Sequence, residues 1–263
     1  MTSIYQALSD LEKNSETAAL CIVTSSEGST PRHVGSKMLV FPDGKLMGTV
    51  GGGELENRVI KAALESIKSG TAQTLSYNMA DPSRGDPGVC GGQVEVFVEP
   101  ILPAPLLVVI GAGHVGKAVV HLAKWLGYRV AVSDDRAEFC NETAVPGADA
   151  YYPVSMDKLP KQITIDKRTI LILTTRGSAV DAVGLSPLLD SRAAYIGVIG
   201  SKRRWATTVK VLKDKGIPDE KIAKVHSPMG LELQAETPEE IAVSILAEVM
   251  MIKTKGTGKS MKG

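Results

Sequence analysis

The chain holds 263 residues, 43% of them apolar and only 4% aromatic, with a formal net charge of +1. That length supports one large domain or two smaller ones, and the scarcity of aromatics calls for cores filled by aliphatic side chains. So balanced a charge argues against a nucleic-acid or acidic-membrane partner held by bulk electrostatics.

In chain order, the opening MTSIYQALSDLEKN reads as an amphipathic helix rather than a signal peptide, and no apolar run has the length of a membrane span. Residues 17–25 are apolar at their centre and predict a strand. Residues 37–41 predict a second, closed by the turn Pro42-Asp43-Gly44, with 45–50 returning as its hairpin partner. Gly51-Gly52-Gly53-Glu54 then opens a helix whose Leu55, Val59, Ala63 and Ile67 share one stripe, and Gly70 supplies the stop. Strands over 72–77 and 93–98 flank a polar loop over 79–92. Pro100, Pro103 and Pro105 break the chain and mark the best boundary, closing an N-terminal α+β domain over 1–100.

Residues 106–110 form an uninterrupted apolar run, the mark of a strand buried on both faces. It leads into Gly111-Ala112-Gly113-His114-Val115-Gly116, a G-x-G-x-x-G, after which Val115, Val119, Leu122 and Leu126 recur at helical spacing until Gly127. A second strand over 129–133 ends at Asp134. This is the order of a dinucleotide-binding βαβ unit. The first two glycines let the backbone turn and approach a pyrophosphate, and the third lets helix and strand pack closely. The helix N-terminus offers free N–H groups, and the acid can accept hydrogen bonds from a ribose. The alternative is a βαβ unit whose glycines serve packing only. Apolar runs at 169–174 and 194–199 continue the doubly wound pattern, with helical stretches between and after them, one over 202–213. A short strand around Val225 precedes a last helix, to which Thr237-Pro238-Glu239-Glu240 gives a cap, a proline at its first position and a capping box. Ile241, Ile245 and Val249 form its buried stripe. The fold class is therefore α/β: a C-terminal Rossmann-like doubly wound parallel sheet over 105–252 with a smaller N-terminal α+β domain, and a mobile tail over 253–263.

Three N-terminal loops are denser in special residues than turns require. The stretch from Gly28 and Ser29 through Pro31, Arg32 and Gly35 to Lys37 sets a guanidinium and an ammonium at one loop-to-strand junction. Gly51, Gly52, Gly53 and Glu54 open a helix in an anion-receptive geometry. Cys90, Gly91 and Gly92 place a thiol among glycines. Each alone reads as a tight turn; together, with Arg32 and Lys37 as phosphate partners, they point to a shared site for an anionic ligand. Cys90 is either a sulfur nucleophile or soft ligand, or an inert core thiol. The cysteines, Cys21, Cys90 and Cys140, are odd in number and far apart. That suits a reducing cytoplasm and excludes both a disulfide framework and a four-thiolate iron–sulfur cluster. His33, His114, His121 and His226 show no zinc-ligand spacing, so no metal site is expected. His121 belongs on a solvated helix face, whereas His114 lies inside the phosphate loop. Two further strand ends carry polar groups where open α/β sheets bind ligands: Arg176, and Gly200, Ser201 and Lys202.

The stretches GSTPRHVGSKM, GTVGGGELE, CGGQVEVFVEP, VVIGAGHVGKAV, YIGVIGSKRR and SPMGLELQAETPEEIAVSILAE, in that order over nearly the whole chain, resemble the xanthine dehydrogenase accessory (XdhC/CoxI) family. The resemblance implies an accessory domain joined to a Rossmann domain, and a role in maturing molybdenum hydroxylases. Members of the family hold molybdopterin-type molybdenum cofactor as cargo, help it gain its sulfido ligand and hand it to the apo-enzyme, with a cysteine desulfurase as a further partner. By this resemblance Gly28, Ser29, Pro31, Arg32, Gly35 and Lys37 match the first family motif, and Gly51–Gly53 with Glu54 match the second. Cys90, Gly91 and Gly92 match the third and are the preferred cofactor or sulfur contacts, with Cys90 the catalytic candidate. One position departs: where the family usually has a His after Arg-Gly, Arg176-Gly177 is followed here by Ser178, with Asp181 kept.

The favoured expectation is a cytoplasmic carrier, a homodimer on general grounds, rather than a complete hydroxylase or a turnover enzyme. Two alternatives stand beside it. One is a small NAD(P)-dependent oxidoreductase using Asp134 for the ribose, against which stands the lack of a Tyr-x-x-x-Lys pair. The other is a nucleotide-sensing regulatory module that binds without chemistry.

Overall fold

The computed structural model describes residues 3–28, 30–78 and 92–262. The chain divides into two compact units, Met1–Pro103 and Ala104–Gly263.

The first unit opens on α1 (Ile4–Asn14), capped by the Ser3 side chain, which accepts from the Gln6 N–H. Strands β1 (Ala18–Glu27), β2 (Lys37–Val40) and β3 (Leu46–Gly48) precede α2 (Gly53–Ser69), and β4 (Gln73–Asn78) and β5 (Gln93–Ile101) follow it. They form one antiparallel sheet in the order β3-β2-β1-β5-β4. Alternation sorts the residues between its faces. Val94, Val96 and Val98 of β5 pack with Leu55, Val59 and Ala63 of α2, and Ile67 is only partly buried at the end of that stripe. On the other face Leu20 and Leu39 meet Leu11 of α1. Cys21, in the middle of β1, is fully buried, and burial pushes its thiol up to about 12. It is an inert core residue.

The second unit runs β6 (Leu106–Ile110), α3 (His114–Trp125), β7 (Arg129–Ser133), β8 (Ala150–Tyr152), β9 (Thr169–Leu173), α4 (Ser178–Leu189), β10 (Tyr195–Val198), α5 (Lys202–Asp214), α6 (Asp219–Ile222), β11 (Val225–His226) and α7 (Pro238–Thr254). Its strands are parallel throughout, in the order β11-β10-β9-β6-β7-β8. The chain starts at the middle of the sheet, winds outward to β8, returns to β9 beside β6 and winds the other way. This is the Rossmann winding, and it leaves a crevice beyond the carboxyl ends of β6 and β9, where the connections diverge.

Parallel strands roofed on both faces must be apolar almost without interruption, and β9 and β10 are buried at every residue. Val119, Val120 and Ala123 of α3 with Ile245, Leu246 and Val249 of α7 cover one face. Leu185 and Leu188 of α4 with Leu212 of α5 cover the other. Helix α3 is turned relative to expectation. Its deepest line is Gly116, Val119, Val120 and Ala123, while Val115, Leu122 and Leu126 are only partly buried. The reason is that α3 packs against α7 as well as against the sheet, so no single stripe is buried alone. Strand β8 and the 3-10 turn Met156–Lys161 carry no periodic signal in the sequence; three half-buried edge residues cannot show one. The capping box of α7 forms as the sequence predicts, with Thr237 and Glu240 bonding reciprocally. Among the described residues, no helix is long and apolar enough to cross a membrane.

Candidate functional site

A cavity of about 610 Å³ opens over the carboxyl ends of β6, β7 and β9, within the size range of small-molecule sites. The glycine loop forms one wall. A Cβ on Gly111, where φ is +109°, would lie 2.6 Å from the Thr174 carbonyl oxygen, and one on Gly116 would lie 2.0 Å from that of Gly111. The fold itself therefore demands these two glycines. Gly113 differs: its φ is −74°, and nothing lies within 4 Å of an added Cβ, although the residue lines the cavity. No neighbour among the described residues requires glycine there. The open side is where a ligand phosphate can approach the backbone and the first-turn N–H groups of α3. His114 stands exposed on the same wall, while Val115 and Gly116 do not line the cavity.

Asp134, just past β7, is buried. Its carboxylate accepts from the Ala112 N–H at 2.9 Å and from the N–H, Nε and Nη2 of Arg136 at 3.1, 2.9 and 2.9 Å. Burial pushes its pKa up, but the guanidinium and the backbone donors outweigh burial and hold it at about 2. Four donors fill the lone pairs that a ribose would engage, so Asp134 ties the glycine loop to the end of β7. A depressed pKa stabilises the fold above the unfolded value and loses that contribution as pH falls through the folded one. Asp134→Asn should therefore flatten the fall in stability between about pH 4 and about pH 2, measured by denaturant unfolding across that window.

The Arg136 guanidinium lies 4.0 Å from the Phe139 ring centroid, stacked over it. Next to this pair, Arg176 reaches from beyond β9 to Asp135 through two hydrogen bonds of 3.1 and 2.8 Å. Both partners are about half exposed, so the bridge shapes the rim more than it stabilises the fold. Sequence reasoning found Arg176 but passed over Asp135, Arg136 and Phe139. The signal was available, since all three follow directly on the strand end that carries Asp134.

Gly200, Ser201 and Lys202 do not line this cavity. Ser201 caps α5 by accepting the Arg204 N–H at 3.2 Å. Lys202 lines a second cavity of about 360 Å³ with Met229, Gly230 and Glu232. Arg204 turns inward instead. Its Nε and Nη2 bind the fully buried Asp181 at 3.1 and 2.7 Å, Nη2 also reaches the Thr175 hydroxyl at 2.7 Å, and Thr175 donates to Asp181. This cluster joins the end of β9 to α4 and α5.

In the first unit, antiparallel pairing brings the end of β1, the start of β2, the end of β3 and the start of β5 to one end of the sheet. Two of the three predicted loops meet there: a Cβ on Gly51 would lie 2.7 Å from the Pro31 ring. Arg32 is exposed, and Lys37 donates to the Gly35 carbonyl at 3.0 Å with its ammonium 5.6 Å from the centroid of the Tyr5 ring. Gly28 follows β1 with φ +75°, and Gly92 is buried just before β5. Ser29, Cys90 and Gly91 lie outside the described residues.

The loop of Gly51–Gly53 already holds an anion, and it is one of the chain's own. Glu56 Oε2 accepts from the Thr49 hydroxyl and from the Val50 and Gly52 N–H groups, the latter two at 3.2 Å. Burial raises the Glu56 pKa, but these donors outweigh it and the net shift is downward. Left-handed Gly52 and Gly53, at φ +76° and +61°, let the loop wrap the carboxylate. Glu54, the expected contact, pairs with Arg58 at 3.3 Å instead. The sequence does carry a signal for Glu56, an acid in the first turn of a helix that opens on glycines. Glu56→Ala should loosen this loop at a cost of about 1 kcal/mol, after allowance for solvent screening of a part-exposed group. Urea unfolding gives the cost, and amide exchange at Gly52 should quicken. Among the described residues, no three of His, Cys, Asp and Glu group as a metal site.

Comparison with known proteins bears on both units. The model of the XdhC Rossmann domain matches residues 107–249, and that of the XdhC and CoxI family matches 11–78. The chain is 33% identical, over 98% of its length, to the Escherichia coli K12 protein called uncharacterized protein YqeB, and spans 48% of that protein. It is 29% identical, over 61% of its length, to a Bacillus subtilis 168 protein named as a probable subunit of xanthine dehydrogenase, and spans 46% of it. It therefore spans about half the length of these two relatives. A third, the molybdenum cofactor insertion chaperone PaoD of Escherichia coli K12, is 25% identical over 90% of this chain and 83% of its own. A crystal structure described as a xanthine dehydrogenase from Bacillus halodurans, 22% identical, shares the fold at a TM-score of 0.52 and covers 97% of each chain.

Proposed function

The chain belongs to the XdhC and CoxI family, and from that premise we propose that it is an accessory protein that carries molybdopterin-type cofactor to a molybdenum hydroxylase of the xanthine dehydrogenase kind. The observation that carries this reading is the near end-to-end likeness to a relative named as a molybdenum cofactor insertion chaperone. The geometry of the crevice supports the ligand-binding half of it. The cavity is of ligand size, and on the glycine loop its wall leaves room at Gly113.

In this reading the Rossmann crevice receives a nucleotide, either NAD(P) or the nucleotide portion of the cargo. The α3 N-terminus meets the phosphates, and Asp134 keeps the loop in place. Arg32 and Lys37, at the end of the N-terminal sheet, meet a further anionic group, and Cys90 handles sulfur delivered by a cysteine desulfurase. The protein acts in the cytoplasm as a homodimer with the apo-hydroxylase as its client. A carrier needs moderate affinity, since one that binds too tightly cannot release. The test is reconstitution of a client apo-hydroxylase with molybdopterin, with and without this chain. Faster recovery of hydroxylase activity with the chain is expected; identical time courses would defeat the reading.

A further inference from the structure

We propose that the wall of the crevice beside β7 is a phosphomonoester subsite, with Arg136 as its determinant, rather than a site for a ribose diol. This rests on the crevice being a ligand site, as proposed above, and goes on to say what chemistry its far end selects.

The usual logic of this position is an acid that accepts both ribose hydroxyls. Here that acid cannot do so, because the two Asp134 oxygens already receive four hydrogen bonds. The same bonds fix Arg136. Its Nε and Nη2 are held by Asp134, and its Cζ lies 4.0 Å from the Phe139 ring centroid. Nη1 makes no hydrogen bond among the described residues, so both of its N–H groups remain on the guanidinium of a residue that lines the cavity. Its side chain keeps 34% of its surface exposed, so the residue is not sealed off from the cavity it lines. A fork held in place loses little freedom on binding, and phosphate oxygens are the acceptors that suit it.

The neighbouring charges set the size of the effect. Asp135 is matched by Arg176, and Asp157 on the facing 3-10 turn lies near Lys158 and Lys161. Arg136 itself is matched by Asp134, and Glu138 adds a further negative charge close enough to act on it. The wall therefore offers directed donors rather than a large free positive charge, and the gain for a monoester should be about tenfold in affinity, the scale of one charge-assisted contact.

Two kinds of ligand could present such a group: a dinucleotide phosphorylated on its 2′-hydroxyl, or a phosphorylated pterin. Titrating the full chain with NADPH and NADH, with adenosine 2′,5′-bisphosphate and adenosine 5′-monophosphate, and with molybdopterin separates them. Tighter binding of NADPH and the bisphosphate by about tenfold, lost in Arg136→Ala and partly kept in Arg136→Lys, supports the subsite with a nucleotide source. Binding of molybdopterin alone, weakened by Arg136→Ala, supports it with a pterin source. Equal affinity for NADPH and NADH, or tighter NADH, overturns the subsite while leaving the crevice as a nucleotide site. No binding by any of the five overturns the crevice reading itself. For a nucleotide source the comparison on the unaltered chain needs no variant; for a pterin source, if Arg136→Ala fails to fold, Arg136→Lys gives the reading, with weaker molybdopterin binding supporting the subsite and unchanged binding overturning it.

Discussion

Gly116→Ala is expected to destabilise the second unit by about 3 kcal/mol or more, the upper range for overpacking a core. The added Cβ would sit 2.0 Å from the Gly111 carbonyl oxygen and 3.0 Å from the Thr174 hydroxyl. The first contact is with backbone, so no rotamer change relieves it. Alanine gains about 1 kcal/mol of helix propensity over glycine, which is too little to offset the overlap. To relax, α3 must move off β6, and that would also carry the glycine turn out of position. Gly113→Ala is the matched control. Its backbone already suits an L-residue and its Cβ meets nothing within 4 Å. Thermal unfolding should leave Gly113→Ala near the parent and lower Gly116→Ala by roughly 10 °C. Ligand titration should find both impaired. A Gly113→Ala protein that binds like the parent would mean that the open side of the loop is not used.

Asp181→Ala should rank with it. The carboxylate is fully buried and is the common acceptor of Arg204 and Thr175. Removing it strands a guanidinium that is only 21% exposed, and breaking such a pair typically costs about 3–5 kcal/mol. For a unit of this size that corresponds to a fall in melting temperature on the order of 10 °C. Arg204→Ala should cost about as much, because it leaves the carboxylate without its partner. The double variant should be clearly less destabilised than the sum of the two, since the second change removes a charge already stranded by the first. Strict additivity would show that the two groups stabilise the unit independently.

The Rossmann unit was legible because its signals are local. An uninterrupted apolar strand, a glycine turn, a helical stripe and a capping box each need only neighbours in sequence. What was missed depends on where individual side chains turn, over a few residues or across the chain. That Glu56 rather than Glu54 or a ligand fills the glycine loop follows from which first-turn acid points back at the helix entry, a choice that composition alone does not make. That Asp134 is saturated depends on Arg136 folding back over it from two residues on. Ser201 and Lys202 read as phosphate contacts because they open a helix after a strand. Their strand, β10, lies one place further from the crevice than β9, so Ser201 only caps α5 and Lys202 meets the second cavity instead. Helix α3 was turned from its expected face for a similar reason, since α7 covers it from a place far along the chain.

The most direct measurement is native mass spectrometry of the full chain mixed with molybdopterin. A noncovalent adduct at one cofactor per chain, weakened in Gly113→Ala, is the expected result. A bare chain at cofactor concentrations sufficient to load an apo-hydroxylase would contradict it.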